Sequence, residues 1–415
     1  MASQAEHTGG ALKGIRVLDL SRVLAGPWAA QLLGDMGAEV IKVERPGVGD
    51  DSRAFGPPFL KDREGRDLPQ SPMFLSANRN KRSITLNLAS KAGQQIARKL
   101  AAKADVLIEN YRAGALTRYG LDYRSLSELN PRLVYCSITG FGQDGPYRDR
   151  GGYDPIIQAM AGVMSVTGYP DDDPRAGPMK AGPSIIDMVA GFYAAQGIQA
   201  ALYDREQRTG KGQQLDISLL DAGVAIMAQP AAQYFASGKP PKRLGTQANG
   251  GAPGGGYRCA DGDIMIAPGS QQLYRAFCRA IGRPELADDP RFETNSQRLI
   301  HRAELVEKLH ETLGEMTVAE VYQRLVAAGV PASPVNDMAQ VFADPQVRHR
   351  GLEVRLAHPE AGEVKLVANP IRGAAGLMAG YTPPPGLGEH TAAVLAEQLG
   401  LSEQAIEDLR AEGVI

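Results

Sequence analysis

The sequence predicts an α/β protein whose main sheet is largely parallel and covered by helices on both faces. Over the first 140 residues, short β-branched runs alternate with stretches of helical period. Glycine or proline marks the junctions, and the connections are long enough for crossover helices. The chain has 415 residues, room for two or three domains at about 150 residues each. Hydrophobic residues make up 43% and charged residues 22%, ordinary globular values that exclude wholesale disorder.

The elements follow in order. Ile15 to Leu20 is a short strand bounded by glycine. Pro27 to Met36 has helical spacing, with proline at its start and Gly37 past its end. Glu39 to Val43 alternates as a second strand, and Ser83 to Leu86 is a third after a loop rich in Gly, Pro and charge. A helix from Ser90 to about Ala104 leads to strands at Val106–Ile108 and Leu133–Ile138. From Tyr153 to about Leu220 the pattern is helical, broken by a Gly/Pro loop at Gly168–Pro183. Glycine and proline crowd together between Gly238 and Gly256, the strongest linker signal in the chain. Tyr257–Cys259 and Ile264–Ile266 then read as a hairpin, followed by helices between Gln271 and Ala328. Strands near Leu352–Arg355 and Glu363–Val367, a turn at Pro383–Pro385 and helices from His390 close the chain.

Charge and composition narrow the function classes. Basic residues number 45 and acidic residues 47, so no global charge draws the chain to nucleic acid or an anionic membrane. Cys136, Cys259 and Cys278 are odd in number and widely spaced, which fits neither a disulfide framework nor a zinc cluster. No apolar run is read as approaching the ~18 residues of a membrane span. The opening MASQAEHTGG lacks a basic-then-apolar signal and reads as a short disordered leader. The expectation is a soluble, cytoplasmic protein without a bound metal.

Ligands of parallel sheets sit outside the carboxyl ends of the strands. Ser21-Arg22-Val23-Leu24-Ala25-Gly26-Pro27 leaves the first strand at such an end, without a phosphate-cradling GxGxxG or GxxxxGKS pattern. A nicotinamide dehydrogenase thereby loses its main support, and a tight turn opening a helix is the plain alternative. Lys42 and Arg45, then Arg79, Lys81 and Arg82, cluster near the next strands. They suit the phosphates of a nucleotide-like ligand, or are solvated loop charge. Asp154 precedes a helix and has capping as its default role. Asp187 opens an apolar, small-residue stretch running to Ala201, where peptide dipoles favour an ionised carboxylate, for capping or for chemistry. The six histidines, His7, His301, His310, His349, His358 and His390, leave Glu39 to Asn295 empty, which excludes a local Ser-His-Asp triad there.

Gly14-Ile15-Arg16-Val17-Leu18-Asp19-Leu20, Leu24-Ala25-Gly26-Pro27 and Gly37-Ala38-Glu39-Val40-Ile41-Lys42-Val43-Glu44 together resemble the opening of the class III CoA-transferase family, of the formyl-CoA and carnitine type. Asn78–Ser83, Asn130–Leu133, Gly140–Pro146 and Leu387–Thr391 continue the resemblance in order along almost the whole chain. Gly49-Asp50-Asp51-Ser52-Arg53 with Gly56-Pro57-Pro58-Phe59 is most similar to the succinyl-CoA:dicarboxylate branch.

The resemblance implies a Rossmann-like large domain and a smaller α+β domain, in an interlocked homodimer. Residues 10–225 would begin the large domain, 230–335 form the small one, and 345–415 return to the first. It implies a coenzyme A thioester as substrate and Asp187 as nucleophile. Val23, Leu24, Arg45, Leu86, Asn110 and Arg118 would bind coenzyme A. The glycine-rich lid of the oxalate enzymes would fall at Gly250–Gly256, where the repeat is not identical. The implied reaction transfers coenzyme A, with succinyl-CoA as donor and a dicarboxylate as acceptor. Arg22, Arg53, Arg175 and Arg243 are candidates for the distal carboxylate. Two other functions compete with it. A 2-methylacyl-CoA racemase would use the aspartate at 154 and a histidine before Asn130-Pro131, but Tyr123–Leu129 holds none. A non-catalytic CoA-binding homologue is the other, since fold alone does not fix function.

Overall fold

The computed structural model describes residues 9–248, 250–373 and 376–415. The expected leader falls, up to residue 8, outside the described residues. The chain forms two compact units: residues up to 163 with 180–236 and 350–415, and residues 164–179 with 237–349. The expected small-domain limits, 230–335, lack the segment 164–179.

The first unit is built on six strands: β1 (Arg16–Asp19), β2 (Glu39–Glu44), β3 (Lys81–Thr85), β4 (Val106–Glu109), β5 (Val134–Thr139) and β6 (Gln214–Ser218). All pair in parallel, in the order β3-β2-β1-β4-β5-β6, the order of a doubly wound dinucleotide-type sheet. The sixth strand corrects the helical reading of 153–220. Gln214–Ser218 keeps strand alternation but is only half buried, and it follows a long helix directly, which masked its period.

Successive strand residues point to opposite faces. Val17, Val106 and Val134 join Ala29, Leu33, Ala194 and Ile198 in one core. Leu18, Leu107 and Tyr135 join Ile96, Leu100, Val394 and Ile406 in the other. The first core is roofed by α1 (Ala25–Asp35) and by a long helix at Ile185–Asp204; Gly191 permits their close approach, since a Cβ there would lie 2.7 Å from the Ala25 carbonyl oxygen.

That long helix corrects another expectation. With the turn that continues it, Ile185–Thr209 spans 25 residues, and an 18-residue window within it has a mean hydropathy of 1.3, enough in length and composition for a membrane span. Small alanines interleaved with polar residues hid the run. Its buried side chains, Ala190, Ala194, Ile198 and Leu202 among them, belong to the sheet's core.

The last segment of the chain packs in the first unit. Strands Glu353–His358 and Gly362–Val367 form an antiparallel hairpin. The Gly10 and Ala11 N–H groups donate to the Gly376 and Leu377 carbonyls, at 3.1 and 3.0 Å. Helices Thr391–Leu399 and Glu403–Ala411 place Val394, Leu395 and Ile406 in the second core, and the Asn87 N–H donates to the Val414 carbonyl at 2.8 Å.

The second unit has a three-stranded antiparallel sheet, Gly255–Arg258, Asp263–Ile266 and Ala332–Pro334. The third strand, three residues ending in proline, carries too little pattern to be read from sequence. Tyr257, Ile264, Phe277, Leu309, Val321 and Leu325 fill its core. In the Gly250–Gly256 loop, Arg298 Nε donates to the Ala252 carbonyl at 2.7 Å and Tyr257 Oη donates to the Pro253 carbonyl at 2.7 Å.

Candidate active site

The strand order reverses between β1 and β4, so their carboxyl ends diverge and leave a crevice, the usual ligand position in such sheets. A cleft of about 210 Å³ lies there, lined by the turn Arg22–Ala25 after β1, by Asn110–Ala113 after β4 and by Ile138–Gly140 at the end of β5. A second cleft of about 240 Å³ is lined by Arg45, Asp50, Leu86, Asn87 and Tyr119. Arg22 and Tyr111 line both.

The turn after β1 is held on two sides. The Arg22 N–H donates to Asn110 Oδ1 at 2.8 Å, and Asn110 Nδ2 donates back to the Arg22 carbonyl at 2.7 Å. The Val23 N–H donates to Asp50 Oδ1 at 3.0 Å. Val23 has φ +69°, the left-handed region, which a β-branched residue enters at a cost of about 1–3 kcal/mol. The Arg22 guanidinium meets Asp51 at 3.2 Å and lies 4.9 Å from the Tyr111 ring centre.

Asp187 lines the first cleft as the third residue of the helix Ile185–Asp204. Its helix has no cap of its own: the Ser184 side chain makes no capping hydrogen bond. Asp154 takes that role from 32 residues before Ile186 in sequence, Oδ2 accepting from the Ile186 N–H at 2.8 Å and the Asp187 N–H at 3.3 Å. Gln158 Nε2 donates to Asp154 Oδ1 at 2.6 Å. Asp154 therefore caps, but not the helix it opens, which refines the expected default. Burial and the neighbouring Asp154 carboxylate push the Asp187 pKa up to about 7. This reverses the expectation that helix dipoles keep it readily ionised, because the nearest N–H groups are already engaged by Asp154. On the far wall, Gly140 and Gly152 pack backbone to backbone: a Cβ on either would lie 2.7 or 2.5 Å from the other's Cα.

The expected binding residues divide between the clefts. Val23, Leu24 and Asn110 line the first, and Arg45 and Leu86 the second. Arg118 lines neither; its guanidinium lies 4.6 Å over Tyr119, which borders the second cleft. The proposed basic cluster dissolves except for exposed Arg45. Lys42 and Lys81 are fully buried in ion pairs with Asp50 and Asp19, at 2.8 and 2.9 Å. Arg79 pairs with Asp35 and Arg82 with Glu39 and Glu397.

Of the arginines considered for a distal carboxylate, Arg22 alone lines the first cleft. Arg53 is buried and forked onto Glu44 at 2.7 Å, while Arg175 and Arg243 pair with Asp173 and Asp171 in the second unit. Sequence reasoning missed Arg112, Arg148 and Arg150, which line the same cleft as Asp187. The charge-rich run Arg148-Asp149-Arg150 beside Gly151-Gly152 was the available signal. Among the described residues, no group of three or more His, Cys, Asp and Glu converges in a metal-holding arrangement.

A doubly wound sheet whose switch-point cleft combines arginines with a partly protonated carboxylate defines, as a class, an enzyme acting on an anionic, nucleotide-bearing substrate. The chain belongs to CoA-transferase family III, whose model matches residues 12–391, and is a CoA-transferase acting on CoA thioesters. It is similar to the succinate–glutarate CoA-transferase of Agrobacterium fabrum, 44% identical over 93% of this chain and 95% of that protein. It is also similar to the human succinyl-CoA:glutarate CoA-transferase, 40% identical over 97% of this chain and 90% of that one. Among solved structures, a CAIB/BAIF family protein from Brucella suis superposes with a TM-score of 0.85, at 42% identity, covering 94% of this chain and all of that one (100%).

Proposed function

We propose that the protein moves coenzyme A from succinyl-CoA to a dicarboxylate of the glutarate class, with Asp187 as the covalent carrier. The placement of Asp187 carries this reading: it is a carboxylate at a helix start, in the switch-point cleft, with its pKa near 7. A carboxylate this basic is a better nucleophile than a surface aspartate, yet it still ionises near neutral pH.

The Asp187 carboxylate attacks the thioester carbonyl; a C–O bond forms, the C–S bond breaks, and CoA leaves as thiolate. The thiolate then attacks the aspartyl carbonyl of the mixed anhydride, releasing the donor's carboxylate and leaving an aspartyl-CoA thioester. The acceptor carboxylate attacks that thioester, forming a second mixed anhydride and thiolate. Thiolate attack on the acceptor's acyl carbon yields the new acyl-CoA and restores Asp187. No net proton moves, and water must be excluded because the intermediates hydrolyse. Val23, Leu24 and Asn110 hold the arm of coenzyme A, and Arg45 and Leu86 its nucleotide end. The relatives named for succinyl-CoA and glutarate support the substrate choice.

The racemase reading is disfavoured by Asp154, 5% exposed with both oxygens engaged, and by the lack of any histidine among the residues lining the cleft. We also propose a homodimer in the cytoplasm. Exposed Tyr153, Ile156, Tyr203 and Phe235 form apolar surface that a second copy would cover, and three buried free cysteines suit a reducing compartment. Light scattering and fractionation test these points. The mechanism is tested by hydroxylamine or borohydride trapping during turnover, followed by mass spectrometry. Label on the peptide containing Asp187 is the expected result, and an unlabelled peptide overturns the assignment.

A further inference from the structure

Beneath the turn after β1 lies a group of buried ions that touches neither Asp187 nor Asp154. Lys42 Nζ donates to Asp50 Oδ2 at 2.8 Å and to the Ser21 carbonyl at 3.0 Å. Asp50 Oδ1 accepts from the Val23 N–H at 3.0 Å and from the N–H and hydroxyl of Ser52 at 2.8 Å each. The Asp50 N–H in turn donates to Glu44 Oε2 at 2.9 Å, and Arg53 forks onto Glu44. Lys81 Nζ bridges Asp19 Oδ2, Asn78 Oδ1 and the Pro27 carbonyl, at 2.9, 2.9 and 2.8 Å. Three cations thus face three carboxylates, and the two lysines grip backbone carbonyls on either side of Val23.

Val23 is one of two non-glycine residues at positive φ among the described residues, and it sits where the turn borders the first cleft. A β-branched residue does not hold that conformation unaided. The neighbours on its two sides, Arg22 and Leu24, also line the cleft, and Arg22 reaches the second as well. A relaxed Val23 would swing both out of register.

We infer that Asp50, anchored by Lys42, is a positioning residue for acyl-CoA binding: it holds Val23 in the left-handed conformation that sets the Arg22–Leu24 turn across both clefts. This rests on the reading of those clefts as the acyl-CoA site. Asp50 does not touch the reacting atoms. Its loss weakens acyl-CoA binding and leaves the covalent steps at Asp187 intact.

The test is a rescue. Asp50→Asn keeps the shape and removes the charge that grips Lys42 and Val23. It should raise KM for acyl-CoA about tenfold or more, with kcat within about threefold of the parent. On a Val23→Gly background, where positive φ carries no strain, Asp50→Asn should be rescued in part, raising KM clearly less relative to Val23→Gly alone than it does relative to the parent. Unchanged KM in Asp50→Asn, or losses that simply add in the double variant, overturns the inference. Hydrogen exchange on the unaltered protein gives an answer even if the variant does not fold. The Val23 amide should be protected without ligand, and exchange at the rate of an open loop refutes a preformed clamp. Asp187→Ala is run alongside. If it still turns over, the reading of the site fails. If it is inactive while Asp50→Asn binds normally, only the clamp fails.

Discussion

Asp19, Glu44 and Asp50 are interleaved with Lys42, Lys81 and Arg53, whereas Asp154 and Asp187 share one helix start with no ion pair to either among the described residues. Asp19 and Glu44 end strands β1 and β2, and Asp187 lines the cleft beyond the carboxyl ends of the same sheet. In the first, burial works against ionisation, but the paired cations bring all three carboxyl groups below their ordinary values. Lys81 shows the other side of the balance: burial outweighs its partners and lowers it to about 8. In the second group burial and like charge act together, and Asp187 rises to about 7. Acids of the same type are thus made inert ions in one place and a titrating group in the other, by the presence or absence of a cation.

The largest effect expected from breaking this contrast is at Asp187. Asp187→Ala should lower transfer about a thousandfold or more while acyl-CoA affinity, measured by calorimetry, stays within a few-fold. Next, Lys42→Met leaves Asp50 buried without its cation and should cost about 3–5 kcal/mol of stability in denaturant titration. A cost under 1 kcal/mol would mean water reaches the network.

Asp187 also predicts a stability change of known sign. Its folded pKa of about 7 lies above the unfolded 3.8, so the folded state prefers the protonated acid and loses stability as pH rises through 7. Asp187→Asn should therefore stabilise the protein at pH 8, by up to about 4 kcal/mol, and have little effect at pH 4. The paired acids have the opposite sign. Their contribution is full above the ordinary carboxylate range and is lost as pH falls through their lowered values.

A finer probe is the pH profile. The kcat/KM of the parent should rise with pH through about 7 as Asp187 ionises. Asp154→Asn removes the like charge and should move that limb to lower pH; a limb that stays in place would assign it to another group. The smallest effect is expected at Arg45. It is exposed at the second cleft, and Arg45→Ala should raise KM for acyl-CoA only a few-fold, less so at high salt.

Much of this frame was legible in the chain because β-branched runs such as Val106-Leu107-Ile108 are buried on both faces and carry their pattern openly. Gln214–Ser218 was not, because this edge strand leaves all its residues but Ser218 exposed or only partly buried. Lysines 42 and 81 misled because a lysine in a strand reads as surface charge, and its carboxylate partner lies on another strand or loop. Asp187 was singled out through family resemblance, since its spacing alone fits a cap. The cap supplied by Asp154 crosses between two helices, and local pattern holds no trace of it.

The return of the chain's last segment to the first unit has a consequence for synthesis. Val394, Leu395, Ile406 and Val414 complete the core under the sheet, so on the ribosome that layer stays open while the inserted second unit is being made. Leu107, Ile84 and their neighbours lack part of their cover until the final helices emerge, a window in which nascent copies are vulnerable to sticking together. A stop codon a few dozen residues early would cost the enzyme its floor, although every residue assigned here to the chemistry would already have been translated.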